Sequence, residues 1–239
     1  MSRVLATIYF GFYFLVFGSM ALSHRLLSQV RPAFMNFNRD LTELAVLATG
    51  LPRWMIAHPG SFIVFDVLLF ALPLVWLATG LRRWLGVLFV GFLAVYLLLA
   101  DIFWQVHHEP YILYLLLPLA FITRRPERID GILQAARYYF LYIFVSAAIW
   151  KIARGAAFNS EEMSRILLVH HSELLSGDCQ GWLCGLYRWL IDHPLAAQTL
   201  YWAGILTEAS FFLGLFTRRY DRWLIALAVL FVAADWWVM

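Results

Sequence analysis

Lysine is almost missing from this sequence. Lys151 is the only one, and every other side chain of fixed positive charge is arginine. Charge of either sign is scarce: Asp, Glu, Lys and Arg make up 14% of the 239 residues, against 63% hydrophobic ones. A soluble domain carries roughly 25% charged and 45–50% apolar residues, so a water-soluble fold is excluded. Mean hydropathy is +0.74 and the isoelectric point is near 9.0. The basic excess lies in arginines at the ends of apolar runs, where it anchors helices at a membrane surface and implies no nucleic-acid partner. Cysteine is limited to Cys179 and Cys184. Their CQGWLC spacing is not a CxxC redox motif. On an oxidising face they are expected to close a small structural disulfide across Gly181. No Pro/Ser-rich linker, low-complexity run or clear internal repeat divides the chain, which reads as a single integral membrane domain over 1–239.

Long apolar runs are what the sequence has in abundance. They fall at about 4–22, 61–80, 85–104, 111–123, 133–153, 196–216 and 223–239. A helix needs about 17–25 residues to cross a bilayer. The expected fold is therefore all-α, a polytopic transmembrane bundle of about seven spans with interfacial helices on the outer face. The first run is expected to be a retained helix rather than a signal peptide ending near Ser19-Met20-Ala21. The arginine-rich connections Arg82-Arg83, Arg124-Arg125 with Arg128, and Arg218-Arg219 with Arg222 share one side in a seven-span chain. That side is expected to be cytoplasmic, giving an inner-membrane protein with its N-terminus inside and its long loops outside. Residues 41–58 read as an interfacial or re-entrant helix. Residues 160–195 read as amphipathic, capped by Asn159 or Ser160 with Glu161 and Glu162 in the first turn. Trp182, Tyr187 and Trp189 are expected at the membrane interface.

Ionisable residues inside spans are functional suspects. Lys151 lies at the end of YYFLYIFVSAAIWKIARG, with Ala148 and Ala147 three and four residues before it. Either it snorkels to the headgroups or it turns inward, where the small alanines admit a neighbouring helix. An inward lysine costs roughly 2.5–3.5 kcal/mol on insertion scales. Desolvation favours the neutral amine, and a neutral lysine is a usable base or nucleophile. Asp66, Asp101, Gln105, Glu208 and Asp235 are the other intramembrane polar groups. Glu208, near mid-span, is the most costly to bury; it is expected to pair with an arginine, hold a proton or bond a helix break. Aromatics make up 18% of the chain. They serve either as packing or as the lining for a flat quinone-like ligand, with Tyr111, Tyr142 and Trp150 as candidates. Val-His-His occurs twice, in VHHEP (106–110) and VHHSE (169–173), each pair followed by a carboxylate. Adjacent residues diverge, so a divalent transition-metal site would take His107 or His108 from one loop and His170 or His171 from the other.

Three stretches in this order resemble the HTTM family, the membrane domain shared with vitamin K-dependent gamma-carboxylase, and more distantly DoxX-like proteins. They are HHEPYILYLLLPLAFI, YYFLYIFVSAAIWKIARG and GILTEASFFLGLFTRRYDR, and the resemblance covers about residues 60–230. It implies that Lys151 is the base in hydroquinone oxygenation, with His107 or His108 near the reduced quinone, on the outer face. Two departures from that pattern are present. The 239 residues hold no counterpart of the carboxylase's large extramembrane domain, and Ile149-Trp150 stands where the family often has glycine and a second lysine. Three readings follow. A quinone- or redox-linked membrane enzyme predicts a pocket touching Lys151. A non-catalytic accessory subunit, packed in the bilayer against another membrane or periplasmic protein, predicts a paired Lys151 with no cavity above it. An outer-face metal protein predicts close approach of the two histidine pairs.

Overall fold

The computed structural model describes residues 3–30, 35, 41–104, 111–123, 125–172, 175 and 181–238. Every regular element among them is helical. The chain divides into two compact units, Met1–Arg137 and Tyr138–Met239.

The first unit holds α1 (Arg3–Leu22), a 3-10 turn (Leu27–Gln29), α2 (Leu41–Ala48), α3 (Leu51–Ala57), α4 (Gly60–Ala78), α5 (Arg83–Trp104), α6 (Tyr111–Ile122) and the start of α7 (Pro126–Ala153). Its core is aromatic. Tyr9, Tyr13 and Phe17 recur every four residues, so α1 buries one stripe. Beside that stripe Phe10 meets Trp76 edge-on at 5.7 Å, and Trp76 meets Phe121 at 6.0 Å. Such pairs add roughly 0.5–1.5 kcal/mol beyond the area they bury. Tyr13 and Asp66 find partners within this core, whereas the buried Trp76 indole N–H finds none among the described residues. Tyr13 donates its hydroxyl to the Leu69 carbonyl at 2.9 Å. Asp66 accepts from the Tyr96 hydroxyl at 2.7 Å and from the Ser28 amide at 2.8 Å. One of the suspect carboxylates thus fastens the 3-10 turn to α4 and α5. The expected helix over 41–58 is in fact two. Gly50, at φ 73°, breaks it, and Pro52 sits in the first turn of α3, where its missing N–H costs nothing.

The second unit holds the rest of α7, a 3-10 turn (Ala156–Phe158), α8 (Glu162–His170), α9 (Trp182–Asp192), α10 (Pro194–Ser210), α11 (Phe212–Phe216) and α12 (Asp221–Val238). Gly155, in the left-handed region at φ 75°, stops α7. Asn159 accepts the Glu161 amide at 3.1 Å in a turn just ahead of α8, but the helix's N-cap is Glu161 with no side-chain cap bond, so neither Asn159 nor Ser160 fills the expected capping position. Ala148, Ala157, Met163, Leu167, Tyr187 and Ile205 belong to one core cluster, and Leu141, Val145, Phe211 and Leu224 to another. Trp182 and Trp189 are exposed as expected, but Tyr187 is not. The α9 stripe of Cys184, Tyr187 and Leu190 turns inward, and Tyr187 stacks against His171 with ring centres 4.0 Å apart.

Among the described residues five helices are long and apolar enough to cross a membrane: Val4–Gln29, Gly60–Ala78, Arg83–Phe103, Pro126–Ala153 and Pro194–Phe216. Ile112–Ile122 is apolar but shorter. The outward faces of these helices carry Ile8, Phe12, Val67, Val87 and Leu206, all exposed. Apolar surface of this extent fits an integral membrane protein, whose solvent there is lipid.

Candidate functional site

The site forms where the buried stripes of α7 and α10 meet. On α7, Leu141, Val145 and Ala148 are buried, and Lys151 follows three residues later on the same face. It occupies the last turn of α7, where a cation complements the helix C-terminus. On α10, Ala197, Tyr201, Ile205 and Glu208 are buried at spacings of four, four and three. Ala148 shares a buried cluster with Ala197, Tyr201 and Ile205 of α10. The geometry leaves Lys151 Nζ 2.6 Å from Glu208 Oε1. The Glu208 side chain is 6% exposed and that of Lys151 27%. Lys151 also lies over the Tyr201 ring, 5.7 Å from its centre.

Beside this ion pair is a cavity of about 290 Å3. Lys151, Tyr201, Gly204 and Thr207 form one side, and Leu227 and Phe231 of α12 face them. Gly204 keeps it open, since a Cβ built there would meet only the Phe231 ring, at 3.7 Å. Thr207 turns its hydroxyl back to the Ala203 carbonyl at 2.8 Å, leaving its methyl to the cavity side of the helix. Leu200 and Leu230, which also line the cavity, are exposed, so it opens along the α10–α12 seam. The arrangement is an apolar chamber whose one charged lining side chain, Lys151, is paired with Glu208. It can hold a flat, mostly apolar molecule and offer it a single hydrogen-bonding and proton-exchanging point.

The residues expected from sequence are placed as follows. Lys151 and Glu208 are brought together, and Glu208 takes this lysine rather than an arginine. Tyr142 and Trp150 are exposed and line no part of the cavity. Nine residues make about two and a half helical turns, which puts Tyr142 on the face opposite Lys151. Trp150, one residue away, is rotated by about 100° and lies near Arg154, 6.0 Å from ring to guanidinium. The aromatic walls are Tyr201 and Phe231 instead. Tyr201 precedes Glu208 by seven residues and Gly204 precedes it by four, so helical spacing counted back from the carboxylate finds both. Phe231 carries no comparable signal. His170 is exposed while His171 stacks on Tyr187, the divergence expected of neighbours in a helix. No group of three or more His, Cys, Asp or Glu able to hold a metal occurs among the described residues. His107, His108, Cys179 and the Tyr111 side chain lie outside the described residues.

Compared with protein-family models, with curated proteins and with solved structures, the chain matches none.

Proposed function

We propose that this chain is an integral membrane protein of about seven spans that binds a lipid-soluble molecule of the quinone class beside Lys151 and Glu208. The observation that carries the reading is a lysine in the wall of an otherwise apolar cavity, held by a buried carboxylate, Glu208, that does not itself line the cavity. A buried pair costs desolvation energy that a well-packed hydrophobic pair does not, so stability alone is a weak reason for it. A chamber opening sideways between two apolar helices suits a ligand that arrives through lipid. In this reading the pair exchanges a proton with the ligand's oxygen, Lys151 as the donor or acceptor and Glu208 as the group that orients it. Tyr201 and Phe231 sandwich the ring. This is the kind of role that the resemblance to the carboxylase-type HTTM domain implies for Lys151, with His107 or His108 on the outer side.

The accessory-subunit reading keeps one observation in its favour, because Lys151 is paired with a carboxylate. The cavity beside it is what that reading does not call for.

The test is the ligand content of protein purified in mild detergent, wild type beside Lys151→Ala, by lipid extraction with mass spectrometry and by elemental analysis. Near-stoichiometric quinone in the wild type, lost in a variant that stays folded, is the expected result. Absence of quinone from both folded proteins refutes the reading and favours the accessory subunit. Stoichiometric metal unaffected by Lys151→Ala moves the function to the histidine loops.

A further inference from the structure

We infer a separate binding site for an anionic phospholipid in the first unit, in a groove of about 900 Å3 floored by α1 and flanked by Arg82 and Arg83. The floor is built from Ala6, Phe10, Gly11 and Phe14. Ala6, Phe10 and Phe14 recur every four residues, so they share one helix face. Gly11 widens it, because a Cβ built there would meet nothing within 4 Å. The mouth is set by how α4 ends. Gly80 at φ 71° and Leu81 at φ 59° are both left-handed, and the Leu81 amide is held by the Trp76 carbonyl at 2.9 Å. A left-handed leucine is uncommon and persists where its surroundings fix it. The turn delivers Arg82 and Arg83 side by side to the start of α5, both exposed, with the exposed Trp84 indole next to them.

These features complement a phospholipid at two points. Neighbouring guanidinium groups bind phosphate oxygens with paired N–H donors, which a single ammonium cannot do. The apolar floor takes an acyl chain. Basic pockets between helices at the arginine-rich side of a membrane protein bind anionic headgroups in this way. Free phosphate would leave the floor empty, and a zwitterionic lipid would bring a cation to the two arginines. The site shares no residue with the Lys151 cavity and stands whether or not that cavity holds a quinone.

The test uses the full chain in detergent, with thermal melting and native mass spectrometry in the presence of phosphatidylglycerol, phosphatidylcholine or inorganic phosphate. Phosphatidylglycerol should raise the melting midpoint and be retained roughly thirtyfold more tightly than phosphatidylcholine, from two arginine contacts. The double variant Arg82→Gln/Arg83→Gln should lose that preference while keeping its helical circular dichroism. Gly11→Leu, which fills the floor and leaves the arginines in place, should lose phosphatidylglycerol retention too. Equal retention of the two lipids by the wild type overturns the inference, as does a preference that survives the double variant. A full shift with inorganic phosphate alone, or unchanged retention in Gly11→Leu, also overturns it by showing that no acyl chain occupies the groove.

Discussion

Separating Lys151 from Glu208 should cost stability unequally, depending on which partner is removed. Lys151→Met leaves a carboxylate whose side chain is 6% exposed. Breaking a buried pair in that way costs about 3–5 kcal/mol, because the remaining charge keeps its desolvation penalty. Glu208→Leu leaves the lysine, which is 27% exposed and sits in the last turn of α7. Its four-carbon stem lets the ammonium reach a wetter position, so about 1–2 kcal/mol is the expected loss. The double variant Lys151→Met/Glu208→Leu removes both charges, and its cost should fall below the sum of the singles by about 1–3 kcal/mol. The assay is reversible unfolding in mixed micelles by titration with a denaturing detergent, read from helical circular dichroism and from the fluorescence of the 11 tryptophans. Additivity within about 0.5 kcal/mol would show two independent groups and refute the pairing. A Glu208→Leu loss equal to that of Lys151→Met would refute the argument from exposure.

Gly204→Leu should fill the cavity without a clash, since the only close neighbour of its Cβ is the Phe231 ring at 3.7 Å; retained ligand should fall at least tenfold in extraction assays while the melting midpoint holds. Gly86→Ala should destabilise by about 1–3 kcal/mol, because its Cβ would lie 2.5 Å from the fully buried Trp76 ring. Gly91→Ala, on the same helix with nothing within 4 Å, is the control and should change little in the same unfolding titration. Tyr96→Phe removes the 2.7 Å hydrogen bond to buried Asp66 and should cost about 1.5–3 kcal/mol, with Asp66→Asn recovering part of that loss in the double variant.

The helices were legible in the sequence because a membrane segment announces itself by length and apolarity alone. Each apolar run corresponds to a helix or a helix pair, at nearly the expected bounds except that α7 begins at Pro126, seven residues before the run expected at 133–153. The break at Gly50 is signalled only by Thr49-Gly50-Leu51-Pro52, a local breaker pattern that the apolarity of the flanking residues masks. At the site, Lys151 and Glu208 each stood out as costly to bury, yet nothing local joins residues 57 positions apart. Their pairing is a property of the tertiary fold, which brings the last turn of α7 to Glu208 of α10. The aromatic candidates failed for a simpler reason. Tyr142 and Trp150 lie near Lys151 along the chain, and the helical turn carries both away from the lysine. Tyr201 and Gly204, at helical spacing from Glu208, were within reach of the same arithmetic. Asp66 shows the opposite lesson: an in-span carboxylate looked chemical and is a structural acceptor.

The central claim is that the chamber beside Lys151 holds a quinone-class ligand, and photolabelling tests it most directly. The purified protein would be irradiated with an azido-ubiquinone analogue in lipid nanodiscs and the labelled peptides mapped by mass spectrometry. The account predicts label within Leu200–Thr207 of α10 and Leu227–Ala234 of α12, abolished by excess unlabelled quinone and by Gly204→Leu. Label scattered over the exposed apolar faces of α1, α4 and α5, and indifferent to competitor, would contradict it.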